Sequence, residues 1–216
     1  TVSLSSDGSI VAVGARLHDD PVSGANSGNC RIFHWTATNT TTTTSVWTQL
    51  GSSINGNSQG DESGVSVSLS GDGRVVAIGA RYNDNENGVD AGQCRVFALN
   101  GTDWVQRGQT ISGKAAFESA GESVALAANG NIVVVGAPSI DTSNTNNNFG
   151  HARIFEYDDS TATWIQIGPD LDGDAADDFF GIAVAISQDG SRVIVGGDRN
   201  DANGDRAGHV KVYEQI

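Results

Sequence analysis

One pattern repeats through the whole chain and constrains its fold more than any other feature. A turn dipeptide, Asp-Gly or Asn-Gly, recurs about every 60 residues, at positions 7, 72, 129 and 189. An apolar run ending on Gly-Ala or Gly-Gly follows each turn, and a second apolar segment comes next: Cys30–Phe33, Cys94–Phe97, Ala152–Phe155 and Val210–Tyr213. The first three copies continue into Trp-x-Gln-x-Gly, which begins at Trp47, Trp104 and Trp164. This agreement indicates a protein built from one repeated unit.

The second copy, residues 64–113, shows what one unit contains. Alternating apolar residues (Val65, Val67, Leu69) precede the Asp72-Gly73 turn, and an uninterrupted apolar run, residues 75–80, follows it. These are strand and hairpin signals, and no helical period is present. Each unit is predicted to be a four-stranded antiparallel sheet, and a row of such sheets indicates an all-β fold, the β-propeller. The second strand is apolar throughout, which is typical of a central strand buried on both faces.

The repeat divides the chain into four predicted blades. Their ranges are 1–54, 64–111, 121–171 and 181–216. The first blade lacks part of its first strand, and the last lacks the fourth strand with its Trp. We therefore expect the chain to be a segment of a larger propeller. A closed ring of four blades is the alternative.

The charge of the chain argues against several classes of partner. The formal net charge is −14, so nucleic acids and anionic membrane surfaces, which are polyanions, are not expected to bind. No apolar run of about 18 residues is present, and no membrane insertion is expected within this chain. Cations and basic partners remain, and so does an acidic surface that serves only solubility.

Two stretches resemble a known repeat family. Residues 178–184, Asp-Phe-Phe-Gly-Ile-Ala-Val, and residues 133–138, Val-Val-Val-Gly-Ala-Pro, are similar to FG-GAP repeats, the blade units of the integrin α-subunit propeller and of many extracellular propellers. The other copies carry Ser-Gly or Ala-Gly at 63–64 and 120–121, and Gly-Ala-Arg at 14–16 and 79–81. The resemblance covers essentially the whole chain. It implies a seven-bladed, non-enzymatic adhesion module that is secreted or lies at the cell surface.

The calcium site of this family is not expected here. In FG-GAP repeats, calcium sits in an Asp-x-Asp-x-Asp-Gly loop between the first and second strands. In this chain the same connection is a tight turn, as at 70–74 and 187–191. Such a turn is too short to supply the several oxygen ligands that calcium requires.

A second calcium-like pattern occurs in the loops between the second and third strands. Its candidate ligands are Asp84, Asn85, Asn87, Asp201, Asn203 and Asp205, in runs that contain a Gly. Such Asx-Gly runs are also common turn formers. Both interpretations stay open, and calcium is the only cofactor that the sequence suggests.

Acidic residues gather on one predicted face of the molecule. Loops between second and third strands and linkers between blades leave the sheets at the same end, and most acidic residues lie in them. Loops on a rigid scaffold commonly carry binding residues, although acidic loops can also be no more than polar. The candidate binding residues are Asp19, Asp20, Asp90, Asp141, Asp177 and Asp178.

Glycosylation sequons and cysteines add two smaller predictions. The sequons begin at Asn39 and Asn100, both in the turn between third and fourth strands, opposite the acidic loops. Cys30 and Cys94 are repeat-equivalent, so they point the same way around the ring instead of facing each other. Ala152 and Val210 hold the same place in the other copies, which favours small buried residues with free thiols.

These features favour an extracellular or cell-surface binding or structural module, acting in adhesion or in matrix or filament assembly. Its partner would be a protein or a glycan, and self-assembly is a further option. No repeated Ser, Cys or carboxylate arrangement accompanies the His residues, so we expect no enzyme. The alternative is a carbohydrate-binding propeller lectin, which would present aromatic rings in its loops. The rings available here are Tyr82, Phe117, Phe149, Phe179 and Phe180.

Overall fold

All regular structure that the computed structural model describes, in residues 1–37, 45–139 and 149–214, is β-strand. The first sheet contains β1 (Val2–Leu4), β2 (Ile10–Ala15), β3 (Asn29–Ala37), β4 (Ser45–Gln49) and β5 (Ile54–Asn55). The second contains β6 (Ser66–Leu69), β7 (Val75–Ala80), β8 (Gln93–Asn100), β9 (Asp103–Gln106) and β10 (Ile111–Ser112). The third contains β11 (Ser123–Leu126), β12 (Ile132–Ala137), β13 (His151–Asp158), β14 (Thr163–Gln166) and β15 (Leu171–Asp172). The fourth contains β16 (Ala183–Ile186), β17 (Arg192–Gly197) and β18 (His209–Glu214).

The sheets share one antiparallel topology. In each of the first three, strands one to four are neighbours in order, and a short fifth strand pairs with the start of the third. The register repeats as well, since Gly14, Gly79, Gly136 and Gly196 pair with Cys30, Cys94, Ala152 and Val210. Consecutive first strands contact one another, which places them nearest the common centre. This arrangement confirms the predicted fold class.

The hydrophobic core consists of layers between neighbouring sheets. One layer joins the first and second sheets, a second joins the second and third, and a third joins the third and fourth. All six residues of β7 are buried because a sheet covers each of its faces. In β17 burial alternates, since no described residues cover its second face. Complete burial of the second strand thus marks a sheet with a described neighbour on each face.

Glycine pairs set the spacing between sheets. A Cβ atom on Gly79 would overlap the carbonyl oxygen of Gly121, and one on Gly136 would overlap that of Gly181. Each glycine of a Gly-Ala pair therefore faces the glycine that precedes the next first strand. The Gly-Ala pair of one repeat and the glycine before the first strand of the next repeat therefore form the two sides of one contact between sheets.

A basic side chain in the third strand ties each sheet to the one before it. The guanidinium or ammonium group donates a hydrogen bond to a backbone carbonyl oxygen of the preceding fifth strand. The three bonds join Arg95 to Asn55 (2.8 Å), Arg153 to Ser112 (3.0 Å) and Lys211 to Asp172 (3.4 Å). The described residues include no helix long and apolar enough to cross a membrane.

Candidate functional site

The loops between second and third strands and the linkers between sheets leave the molecule at one end, which we call the loop face. Its described segments are residues 16–28, 56–65, 81–92, 113–122, 173–182 and 198–208. The loops at 16–28 and 81–92 are anchored by main-chain hydrogen bonds to the following linker, such as Phe117 N–H to Val89 O at 2.8 Å. The predicted binding residue Asp141 lies outside the described residues.

Three repeat-equivalent acidic residues of the loop face are buried. Asp61, Glu118 and Asp178 are at most 1% exposed. One oxygen of Asp178 accepts hydrogen bonds from the backbone N–H groups of Asp174 and Ala175 and from Asn200 Nδ2. Asp61 has the same kinds of donors, and its burial raises its pKa. Asp178, predicted as a binding residue, therefore holds the linker and is not presented to solvent.

The middle linker uses a different set of side chains. Glu118 Oε1 lies 3.0 Å from His151 Nε2 and 3.3 Å from an Arg153 guanidinium nitrogen, and all three side chains are buried. Burial acts to raise the pKa of Glu118, but the adjacent His151 side chain and the Arg153 charge outweigh it, and the pKa is lowered. The other carboxylate oxygen of Glu118, Oε2, accepts hydrogen bonds from the backbone N–H groups of Lys114 and Ala115. Sequence reasoning missed this cluster, although the shift from Asp to Glu at this place was its signal.

Another set of aspartates closes the loops between second and third strands. The acceptor is Oδ1 in each case, and the donor is the backbone N–H of a residue with positive φ (52°, 51° and 50°). The pairs are Asp19 with Asn26, Asp84 with Asp90 and Asp201 with Arg206, at 2.8, 2.9 and 2.7 Å. Asp19, Asp84 and Asp201 therefore have a structural role that holds left-handed backbone in place.

The candidate calcium residues make turn contacts. Asn85 Oδ1 accepts the Asn87 N–H at 2.9 Å, and Asn87 Nδ2 donates to Gly113 O at 2.7 Å. Asn203 and Asp205 are exposed. Across the part of the chain that the structure describes, no group of three or more His, Cys, Asp or Glu side chains is placed to hold a metal ion.

The tight turns between first and second strands do not fit calcium. Asp189 Oδ1 accepts hydrogen bonds from Ser187 Oγ at 2.6 Å and from the Ser191 N–H at 3.0 Å. These bonds lower its pKa to about 2. Asp7 has the same arrangement and the same lowered pKa. The carboxylates satisfy their own turns instead of pointing together at one ion.

An ion-pair chain crosses the loop face between three sheets. Glu62 lies 2.8 Å from Arg16 and 2.9 Å from Arg81, which lies 2.9 Å from Glu122. Sequence reasoning did not connect these residues, because they come from two loops and two linkers. Asp20, Asp84, Asp90 and Asp177 join no such pair within residues 1–37, 45–139 and 149–214.

The predicted sequons and cysteines are placed as follows. Asn100 is exposed in the β8–β9 turn, opposite the loop face, and Asn39 lies outside the described residues. Cys30 and Cys94 are fully buried and unpaired, as expected. Burial raises the pKa of both thiols to about 12.

Comparison with known proteins agrees with this geometry. The family model of the FG-GAP repeat matches residues 55–97, from β5 through most of β8. This stretch is similar to an FG-GAP repeat. The FG-GAP match covers the linker that holds Asp61, the Gly64 contact and the Asp84 loop. A comparison with curated protein sequences gives no significant match.

Solved structures similar to this chain include two β-propellers. The β-propeller domain of the Trilobed protease from Pyrococcus furiosus is 13% identical with a TM-score of 0.50, over 99% of this chain and 54% of that chain. The Dos1 propeller is 17% identical with a TM-score of 0.50, over 99% and 43%. A putative 6-phosphogluconolactonase from Bacteroides fragilis is 15% identical with a TM-score of 0.51, over 85% and 40%. The chain thus spans about half, or less, of the structures it matches, and the likeness concerns the fold.

These neighbours correct one prediction. The lack of a recurring arrangement of catalytic side chains, together with the FG-GAP resemblance, led us to expect that the chain is not an enzyme. That expectation is wrong, because the structural neighbours include a putative 6-phosphogluconolactonase. A propeller scaffold accommodates catalytic as well as binding sites, so function has to be argued from particular residues.

Proposed function

We propose that this chain is an extracellular binding module whose loop face contacts a positively charged protein surface. The observation that carries the proposal is the pair Asp84 and Asp90. The two acids lie in one loop, fixed by the 2.9 Å bond from the Asp90 N–H to Asp84 Oδ1. Among the described residues, neither carboxylate has a basic partner.

The Asp84–Asp90 arrangement is unfavourable for the chain on its own. Desolvation and the charge of Asp84 both raise the pKa of Asp90. A lysine or arginine from a partner would relieve this repulsion, so part of the binding energy is already built into the loop. The acidic net charge of −14 would in addition steer a basic partner toward the chain.

An adhesive or assembly role at the cell surface is the form of binding that we favour. The FG-GAP match supports it, since the resemblance implies extracellular modules of this kind. The sequons at Asn39 and Asn100 support it further, because glycans at these turns would leave the loop face free. Calcium binding by these loops is a weaker proposal. The Oδ1 atoms of Asp84, Asn85 and Asp201 already accept hydrogen bonds from backbone N–H groups of their own loops.

The carbohydrate-binding alternative has less support. Phe180 is fully buried, and the Arg199 guanidinium covers the ring of Phe179 at 4.0 Å. Phe117, Tyr82 and Phe149 are the better exposed rings, at 58%, 39% and 39%. They occupy different places in the repeat, whereas a propeller lectin would present equivalent rings from blade to blade.

A charge-matched pair of variants tests the proposal. Titration with an octalysine peptide would be followed by calorimetry at low and at high salt. The double variant Asp84→Asn/Asp90→Asn should weaken binding by about threefold to tenfold, as expected for loss of partly desolvated charge pairs. The control, Glu156→Gln/Asp159→Asn, changes the net charge equally at two exposed residues outside the loop face. Equal weakening by both variants would contradict the proposal, because general acidity would then explain the binding.

A further inference from the structure

Five Asn-Gly dipeptides occur in the chain, at 55–56, 87–88, 100–101, 129–130 and 203–204. In such a pair the backbone nitrogen of the glycine can attack the side-chain carbonyl carbon of the asparagine, because glycine has no Cβ to shield that nitrogen. The attack requires that the glycine N–H and the asparagine amide are both free to move. The hydrogen bonds of each turn therefore decide which of these asparagines is reactive.

In four of the five dipeptides the glycine N–H donates a hydrogen bond to a backbone carbonyl oxygen. The bonds join Gly56 to Gly28 (2.9 Å), Gly88 to Asn85 (3.0 Å), Gly130 to Ala127 (2.9 Å) and Gly204 to Asp201 (3.1 Å). Two of the asparagine amides are held as well, since Asn55 Nδ2 donates to Asp20 and Asn87 Nδ2 donates to Gly113 O, both at 2.7 Å. These four sites can react only after a local opening of the structure.

The fifth dipeptide, Asn100-Gly101, has neither restraint. It lies at the two-residue turn between β8 and β9, where Asn100 pairs with Asp103, and all four residues of this turn are exposed. Among the described residues, the Gly101 N–H has no acceptor and the Asn100 side chain has no hydrogen-bond partner. A Cβ on Gly101 would meet nothing within 4 Å, so the space around the attacking nitrogen is open.

We propose that Asn100 is a modification site at which the folded chain deamidates, with water as the co-reactant. The Gly101 nitrogen loses its proton to solvent and forms a bond to Asn100 Cγ. The bond from Cγ to Nδ2 breaks, and Nδ2 takes up a proton and leaves as ammonia, so a five-membered succinimide remains. Water then cleaves one of the two carbonyl–nitrogen bonds of this ring. Cleavage at Cγ gives aspartate, and cleavage at the main-chain carbonyl carbon gives isoaspartate.

Both products change the β8–β9 turn. Hydrogen bonds from the Ser52 and Trp104 N–H groups lower the pKa of Asp103, so the new carboxylate stands opposite an ionised one, which is unfavourable in an antiparallel pair. Isoaspartate also adds one carbon to the main chain of a turn whose length sets the strand register. The reaction removes the amide nitrogen to which a sequon glycan would be attached, so deamidation and glycosylation of Asn100 exclude each other.

Peptide mass mapping of the unglycosylated 216-residue chain tests the proposal. Samples incubated in mildly alkaline buffer, with and without concentrated urea, would be digested and the rate of deamidation measured at each Asn-Gly. In the native chain we expect Asn100 to react at least about tenfold faster than the other four, which depend on local opening. In urea the five rates should become similar, because the hydrogen bonds that distinguish them are lost.

Two glycine variants separate the proposed chemistry from general effects. Gly101→Ala places a methyl group beside the attacking nitrogen and should slow the reaction of Asn100 about tenfold. Gly204→Ala is the matched control, since both glycines follow an asparagine, have positive φ (65° and 133°) and have open space around them. It should leave the rate at Asn100 unchanged.

Three results would overturn the proposal. The first is an equal rate at Asn203 in the native chain, because Asn203 is also exposed and differs in the hydrogen bond of its glycine. The second is an Asn100 that reacts in urea but stays intact in the native chain, since the turn would then protect it. The third is an unchanged rate in Gly101→Ala with a normal circular dichroism spectrum, which would exclude the Gly101 nitrogen as the nucleophile.

Discussion

Trp164 Nε1 donates a 2.7 Å hydrogen bond to the carbonyl oxygen of Arg107, which belongs to the preceding sheet. Both the ring and its polar atom are thus engaged at a sheet junction, and Tyr157 packs against the ring at 5.1 Å. Trp47, the equivalent residue of the first sheet, is 43% exposed beside Trp35. One repeated residue therefore has two different energetic roles, depending on whether a sheet precedes it among the described residues.

This difference predicts unequal costs for the same substitution. Trp164→Ala should lower the free energy of unfolding by about 3–5 kcal/mol, the usual loss for a buried aromatic. Trp47→Ala, the matched control, should cost about 1 kcal/mol or less because its ring is half in solvent. Urea denaturation of both variants measures the two values. Similar losses would contradict the junction assigned to Trp164.

A charge in the third core layer should prevent folding. Val134 of β12 is fully buried between two sheets. Val134→Glu would bury a carboxylate without a partner, which costs several kcal/mol, about as much as the whole stability of a domain. Soluble yield and circular dichroism are the measurements. Val22→Glu, at a position 94% exposed, should fold normally, and a folded Val134→Glu chain would show that β12 is not central.

The Glu118 cluster should be sensitive to the loss of one charge. Glu118→Gln leaves Arg153 buried without its counter-charge. It also replaces one of the two carboxylate oxygens, which accept from Arg153 and from the linker N–H groups, by an NH2 group that cannot accept. We expect a loss of about 3 kcal/mol in the free energy of unfolding. Glu86→Gln, an exposed change of the same chemistry, should have almost no effect. An unchanged melting temperature in Glu118→Gln would mean that the cluster contributes nothing to stability.

The cysteines should be inert in the folded chain. Cys30 and Cys94 have no exposed surface, and burial raises the pKa of both thiols to about 12, so almost no thiolate exists at pH 8. A thiol-specific disulfide reagent should label neither residue before denaturation and both after it. Rapid labelling of the native chain would contradict this burial, and a mass that shows a disulfide would contradict the free thiols.

Acid should weaken the chain in a defined pH window. The pKa of Asp189 is about 2 in the folded chain against an ordinary 3.8, because its turn donates hydrogen bonds to the ionised form. Because its pKa is lower in the folded chain, the ionised Asp189 carboxylate stabilises the fold above about pH 4. This contribution to the free energy of unfolding disappears as the pH falls toward 2. Melting temperatures between pH 5 and 2 should therefore fall less steeply for Asp189→Ala than for the unmodified chain. Asp205→Ala, an exposed control outside that turn, should keep the original slope.

Much of the fold was accessible from residues that are close in the chain. The Asp72-Gly73 turn, the alternation at Val65 to Leu69 and the apolar run of β7 are local signals, and each predicted its element correctly. The fourfold copy of these signals then indicated four similar sheets. Local periodicity was sufficient because strand pairing within one hairpin depends on turn chemistry and on side-chain alternation.

The roles of the acidic residues could not be read in this way. Asp90 and Asp178 both lie in Asp-rich loops, yet one is partly exposed beside a like charge and the other is buried under linker N–H groups. The contact of Glu118 with His151 and Arg153 joins residues more than thirty positions apart. The local pattern does not specify which donors a carboxylate will meet, because those donors come from distant positions in the chain.

The repeated unit, its antiparallel strands and its Gly-Ala and Trp-x-Gln-x-Gly segments were determined by the sequence, because each depends on the backbone preferences of neighbouring residues. Only the tertiary structure decided which sheet faces touch and why the glycines are needed. These features depend on the distance between separate sheets, and that distance is set by packing over the whole molecule.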